Sequence, residues 1–255
     1  MIRPVVSPLL EAKNRVIIAL DFPSGPEADR FLSHWDGRDK PFVKVGMQLF
    51  YAAGPTWVAK LVETGYKVFL DLKLHDIPHT VAGAVRSVAS LGVDLLTLHA
   101  SGGRRMMESA REGLEAKGGA NRLQLLAVTR LTHIDQKVLN DELEVPGAVR
   151  DSVLNLAHLA QLSGMDGVVC SGEEVSGIKE KIDRQLLTVT PGIRLKGQDP
   201  RDQKRVMTPE AAIQEGADLL VVGRPITQAP GPVAVWEKMI ADIQETGRDD
   251  HERAT

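Results

Sequence analysis

The chain has 255 residues, 43% of them hydrophobic and 25% charged, and its 31 Lys and Arg against 34 Asp and Glu give a formal net charge of −3. This composition excludes a mostly disordered chain, and the balance of charge, with no basic run interleaved with aromatics, excludes nucleic-acid capture through an overall field. The single cysteine, Cys170, excludes an internal disulfide framework, and no apolar run approaches the roughly 18 residues of a membrane span.

Residues Met1 to Asn14 carry Pro4, Pro8, Glu11 and Lys13 and lack the roughly 7–15-residue apolar core of a signal peptide; they read as an N-terminal extension, and the address is cytoplasmic by default. From Arg15 onward, short β-branched runs alternate with segments of helical spacing. The runs are Arg15 to Asp21, Phe42 to Gly46, Lys67 to Lys73, Asp94 to His99, Leu123 to Thr129, Asp166 to Cys170, Leu186 to Thr190 and Asp218 to Gly223. Helices are predicted near 26–36, 55–64, 79–90, 103–117, 150–162, 173–182, 208–215 and 231–245. Gly65, Gly92, Gly164 and Gly216 close four of these segments, as a left-handed helix stop requires. Alternating strands and helices imply a parallel sheet, and eight units in about 250 residues imply one α/β domain, a (β/α)₈ TIM barrel, over 15–246. The competing open, doubly wound sheet needs a glycine-rich fingerprint after the first strand, where Leu20-Asp21-Phe22-Pro23 stands instead. The tail from Gly247 to Thr255 is polar enough to be disordered.

Barrel chemistry sits at the C-terminal ends of the strands. The third strand ends Val68-Phe69-Leu70-Asp71-Leu72-Lys73-Leu74-His75-Asp76, with Asp71 and Lys73 two apart and therefore on one side, the barrel interior. Charges at the end of an apolar strand call for partners. An ion pair that only plugs the barrel mouth accounts for Asp71 and Lys73 taken alone. Asp21 ends the first strand, however, and Lys44 faces inward from the second, so four charges of alternating sign converge. At an effective dielectric near 20, each close opposite pair is worth about 4 kcal/mol, enough to hold both lysines protonated.

The last strands carry another signal. Thr190-Pro191-Gly192-Ile193-Arg194 and Val221-Val222-Gly223-Arg224-Pro225 put glycine and arginine together in the two loops where barrels commonly bind phosphate, although surface arginines beside turn glycines would look the same in either loop alone. The polar stretch Leu195 to Met207 is long for such a loop and fits a lid.

At these residues the chain resembles the orotidine 5′-monophosphate decarboxylase family, from Val16 to about Ile243. The Asp71-x-Lys73-x-x-Asp76 element marks a wider barrel group. It becomes specific when joined to Ala19-Leu20-Asp21, Lys44-Val45-Gly46, Asp76-Ile77-Pro78-His79-Thr80, Thr190 to Arg194 and Gly223-Arg224. The resemblance implies conversion of orotidine 5′-monophosphate to uridine 5′-monophosphate in pyrimidine biosynthesis, with no cofactor and no metal. It implies Lys73 as proton donor to C6 of the pyrimidine, Asp71 beside the departing carboxylate, and Lys44 and Asp21 at the ribose. Thr132 would contact the pyrimidine, and Arg194, Gln203, Gly223 and Arg224 the phosphate. Asp76, Ile77, Pro78 and Thr80 belong to the same site, and in the family's pattern Asp76 and Thr80 reach a neighbouring subunit, which implies a homodimer.

Relatives sharing the Asp-x-Lys-x-x-Asp barrel include Mg²⁺-dependent sugar-phosphate decarboxylases and synthases, which carry a metal-ligating glutamate where this chain has Lys44, a cation that would repel Mg²⁺. A non-catalytic phosphate-binding barrel is the other alternative, and intact Asp71, Lys73 and Asp76 argue against it. His75, His79 and His99 read as structural or supporting, Cys170 as a buried small hydrophobe, and Trp35, Trp57 and Trp236 as core or interface residues.

Overall fold

The computed structural model describes residues 12–116, 123–195 and 206–253, with side chains described through residue 246. Most of the N-terminal extension, and Gln203 with most of the expected lid, lie outside the described residues. Eight strands match the eight runs, seven lying within them and β3 passing its run by one residue: β1 (Val16–Ala19), β2 (Phe42–Gly46), β3 (Lys67–Leu74), β4 (Leu95–His99), β5 (Gln124–Val128), β6 (Gly167–Val169), β7 (Leu187–Thr190) and β8 (Leu219–Val222). Each pairs in parallel with the next, and β8 returns to β1 through Val16↔Leu220, Ile17↔Val221 and Ile18↔Val222, closing the barrel.

The helices are α1 (Ala12–Arg15), α2 (Gly25–Leu32), α3 (Met47–Glu63), α4 (Pro78–Ala89), α5 (Arg104–Glu115), α6 (Val149–Leu162), α7 (Gly172–Lys181), α8 (Pro209–Gln214), α9 (Arg224–Thr227) and α10 (Pro232–Arg253). The third begins at Met47 rather than near 55. It is broken at Gly54, with φ 79° and ψ 173°, because Pro55 disfavours helical geometry in the residue before it. Glycine-proline therefore reads as a helix start in the sequence, although a helical segment precedes it. The short α9 was not expected, and the backbone from Gly247 to Arg253 continues α10. Among the described residues no helix is long and apolar enough to cross a membrane.

Strand side chains alternate between two cores. Ile17, Ala19, Phe42, Phe69, Leu95, Leu126, Leu187, Val189, Leu219 and Val221 fill the barrel, while Ile18, Val43, Val45, Val68, Leu70, Leu96, Leu98 and Val168 pack outward under the helices. This period-two register fixes which residues can reach the cavity at the top. Trp35 and Trp236 meet edge to face at 6.1 Å in the outer layer, and Trp57 donates its indole N–H to Asp29.

The bottom of the barrel is tied by a repeated phrase: Gly92-Val93-Asp94, Gly164-Met165-Asp166 and Gly216-Ala217-Asp218. The glycines stop the preceding segments at φ 73°, 77° and 93°, and the apolar residues are fully buried. Each aspartate then accepts a backbone N–H from the neighbouring strand: Val68 to Asp94 (2.8 Å), Leu125 to Asp166 (2.8 Å) and Thr188 to Asp218 (2.7 Å). Arg111 pairs with Asp166 and Lys179 with Asp218. Polar residues at this end are spent on stability, leaving the opposite rim for chemistry.

Candidate active site

At the top of β3 the pairing register breaks. Leu70 faces Leu96 and Leu74 faces Leu98, so four steps on β3 match two on β4. Lys73 lies inside this bulge with φ 52°, a left-handed conformation that strains a non-glycine residue by about 1–3 kcal/mol and persists only where surrounding contacts hold it. One such contact is Thr97, whose Oγ1 accepts the Lys73 N–H at 2.9 Å and donates to Asp71 Oδ1 at 2.9 Å.

The other oxygen of Asp71 serves the cations: Oδ2 lies 2.9 Å from Lys73 Nζ and 3.5 Å from Lys44 Nζ. Lys44 Nζ also reaches Asp21 Oδ1 at 3.2 Å, which completes an alternating array Asp21, Lys44, Asp71, Lys73 across β1 to β3. Gly46 makes room for it, since a Cβ there would stand 3.1 Å from Lys44 Nζ. Burial opposes ionisation of Asp71, but Lys44, Lys73 and the bonds from Lys73 and Thr97 outweigh it and hold the carboxyl below its usual range. Burial likewise works against the Lys44 ammonium, yet Asp71 and Asp21 prevail and raise it above an ordinary lysine.

This array forms one wall of a cavity of about 650 Å³, a volume suited to a nucleotide-sized ligand. Of the residues singled out from sequence, Asp21, Lys44, Asp71, Lys73, Thr132, Arg194, Gly223 and Arg224 line it. Arg194 is buried, and its backbone N–H bonds Met207 O at 3.0 Å while Met207 N bonds Gly192 O at 3.2 Å, so the two ends of the expected lid stretch are tied together. Helix α9 begins directly after Gly223, at the place where barrels commonly seat a phosphate against a short extra helix.

Asp76, Ile77, Pro78 and Thr80 do not line the cavity of their own chain. They occupy the loop after β3 and the first turn of α4, where Asp76, Ile77 and Thr80 are exposed. Ile77 at 67%, Tyr51 at 76% and Met47 at 44% are among the most exposed large hydrophobics, all on segments that follow β2 and β3. The rings of His75 and His99 meet at 5.3 Å with a 43° tilt, and burial, followed by His75 and Lys73, lowers the His99 pKa. His79 is exposed, and among the described residues no cluster of His, Cys, Asp and Glu could hold a metal.

Sequence reasoning missed Thr97, Phe22, Arg130, Thr227 and Gln228; all but Thr97 line the cavity. Thr97 was detectable, being a polar residue in the inward phase of β4, two positions after Leu95. Arg130 lies in a loop and Thr227 and Gln228 at the end of α9, outside the strands, where strand periodicity gives no direction.

The fold and site together define a (β/α)₈-barrel protein whose ligand-sized mouth holds a lysine–carboxylate array on strands 1 to 3 and arginines after strands 7 and 8. Residues 14–239 match the model of the Orotidine 5′-phosphate decarboxylase / HUMPS family, and the chain belongs to that family. It is 50% identical over 225 residues to an orotidine 5′-phosphate decarboxylase of Geobacillus thermodenitrificans (strain NG80-2), covering 88% of this chain and 94% of the relative. The corresponding enzyme of Lactococcus lactis subsp. cremoris (strain SK11) is 46% identical over 226 residues, covering 88% and 95%. The crystal structure of orotidine 5′-phosphate decarboxylase from Lactobacillus acidophilus superposes with a TM-score of 0.81 at 43% identity, covering 90% of this chain and 99% of that one.

Proposed function

We propose that this chain decarboxylates orotidine 5′-monophosphate to uridine 5′-monophosphate and CO₂ in pyrimidine nucleotide biosynthesis, acting as a cytoplasmic homodimer. The observation that carries the reading is the placement of Lys73 Nζ on a buried, ionised Asp71 at the wall of a nucleotide-sized cavity. Breaking the bond from C6 to the carboxylate leaves an electron pair on C6. An ammonium already fixed beside that carbon stabilises the charge without solvent reorganisation. Lys73 then gives a proton to C6 and recovers one from water. Asp71 lies beside the departing carboxylate, and Lys44 holds Asp71 in place and contacts the ribose with Asp21.

In the same reading Thr132 meets the pyrimidine, and Arg194, Arg224 and the Gly223 backbone grip the phosphate, joined by Gln203. Binding energy gathered at the phosphate drives closure and desolvation at the far end. Asp76 and Thr80 contribute to the partner's site, with Ile77 and Pro78 between them on the same segment; their absence from their own chain's cavity and the exposure of Ile77, Tyr51 and Met47 support this. Two ammonium groups on Asp71 oppose a divalent cation there, which disfavours an Mg²⁺-dependent enediolate chemistry.

The test is incubation of purified protein with orotidine 5′-monophosphate in excess chelator, with release of CO₂ and formation of uridine 5′-monophosphate followed together. Stoichiometric appearance of both is expected. No consumption, with turnover of a sugar phosphate once Mg²⁺ is restored, would replace this reading with the metal-dependent one.

A further inference from the structure

Thr97 stands at the centre of the array without touching the cavity. It is fully buried on β4, and its hydroxyl meets Asp71 Oδ1 and the Lys73 backbone N–H, each at 2.9 Å. The direction of both bonds is fixed by chemistry. An ionised carboxylate can only accept and a backbone N–H can only donate, so the single hydroxyl proton goes to Asp71 and an oxygen lone pair takes Lys73. We propose that Thr97 is a positioning residue: one buried hydroxyl both clamps the left-handed bulge that carries Lys73 and locks the Asp71 carboxylate so that Oδ2 faces the two lysines.

The proposal rests on the decarboxylase reading, and the local structure gives it its reach. With Oδ1 occupied by Thr97, Oδ2 is turned to Lys73 at 2.9 Å and Lys44 at 3.5 Å. Lys73 sits at φ 52° where β3 has slipped against β4, so its backbone N–H has left the regular ladder and bonds the Thr97 side chain. Removing the hydroxyl frees the carboxylate to rotate and the bulge to relax, which moves the ammonium relative to C6. Displacements on the order of 1 Å at a reacting group lower rates by about 100-fold while leaving distant binding contacts in place.

Thr97→Val keeps the shape and loses both bonds, whereas Thr97→Ser keeps both bonds and loses a methyl. For Thr97→Val, kcat is expected to fall about 10- to 100-fold, with KM and the Kd for uridine 5′-monophosphate within about 3-fold of wild type. Thr97→Ser is expected within about 3-fold of wild type in kcat. Wild-type kcat in Thr97→Val, or Thr97→Ser as slow as Thr97→Val, would overturn the proposal. In the wild-type protein the Lys73 amide should exchange slowly with solvent, and fast exchange would overturn it even if Thr97→Val did not fold. A wild type that exchanges slowly at Lys73 yet leaves orotidine 5′-monophosphate intact would sink the decarboxylase reading and leave the clamp standing.

Discussion

Lys44 and Lys73 approach the same oxygen of Asp71, at 3.5 and 2.9 Å, so one buried carboxylate is held between two ammonium groups on neighbouring strands. The two ammonium groups keep the buried Asp71 ionised, and Asp71 in turn offsets the burial of Lys44 together with Asp21. The array therefore acts as a unit, and substitutions within it should be non-additive.

Its pH dependence follows in sign. The folded pKa of Asp71 lies below its unfolded value, so its contribution to stability is full above about pH 4 and is lost as the pH falls through the folded value. Replacing Lys44 by Met removes a cation that holds the carboxyl down. The loss of stability as the pH falls from about 4.5 to about 2.5, read from urea midpoints, should be smaller in Lys44→Met than in wild type. An identical loss would mean that Lys44 does not set the ionisation of Asp71.

Arg224 lines the cavity beside the start of α9, and its assigned partner is a phosphate. Arg224→Ala should weaken binding of uridine 5′-monophosphate by about 10- to 100-fold and of uridine hardly at all, because a charge-assisted bond is worth about 1.5–3 kcal/mol. Titration calorimetry with both ligands decides it, and equal weakening of the two would move the phosphate elsewhere.

The exposed placement of Asp76 gives a prediction about assembly. Lys73→Ala and Asp76→Ala proteins, each inactive alone, should regain activity when mixed under conditions of subunit exchange, since one of the two sites in a hybrid dimer is intact. Exchange verified by differently tagged subunits, with no recovered turnover, would confine Asp76 to its own chain.

At the opposite end of the barrel, Asp218 takes the Lys179 ammonium at 2.6 Å, the Thr188 N–H at 2.7 Å and the Thr188 hydroxyl at 2.9 Å. Asp218→Ala should destabilise the fold by about 2–3 kcal/mol, leaving the Thr188 N–H without its acceptor and the Lys179 ammonium, still bonded to the Leu186 and Arg184 carbonyls, without its counter-charge. Chemical denaturation should show this loss, with kcat unchanged below the unfolding transition. An unchanged urea midpoint would remove the aspartate from its role.

The barrel was legible because its cause is local: apolar runs of strand length and helix stops at Gly65, Gly92, Gly164 and Gly216 repeat along the chain. The array was legible because period-two alternation sends Asp71 inward with Phe69 and places Lys44 in phase with Phe42. What alternation could not show is the slip at Lys73, a product of pairing between two strands; it marks Thr97 as an inward polar residue but not as the partner of the displaced Lys73 N–H. The split of α3 at Gly54 was hidden for a related reason, since Gly-Pro marks a helix boundary whether or not helix lies on both sides. Asp94, Asp166 and Asp218 read only as the first residues of their runs, and the neighbouring strands they tie are not visible until those strands are adjacent.

In the proposed reaction the ammonium fixed on Asp71 stabilises and protonates C6 of the substrate. The most direct measurement compares wild-type and Lys73→Ala proteins for consumption of orotidine 5′-monophosphate by ultraviolet absorbance, with binding of uridine 5′-monophosphate measured on the same samples. Rapid consumption by wild type alone is expected, with nucleotide binding retained by both. Turnover by Lys73→Ala at a rate near that of wild type would contradict this role of Lys73.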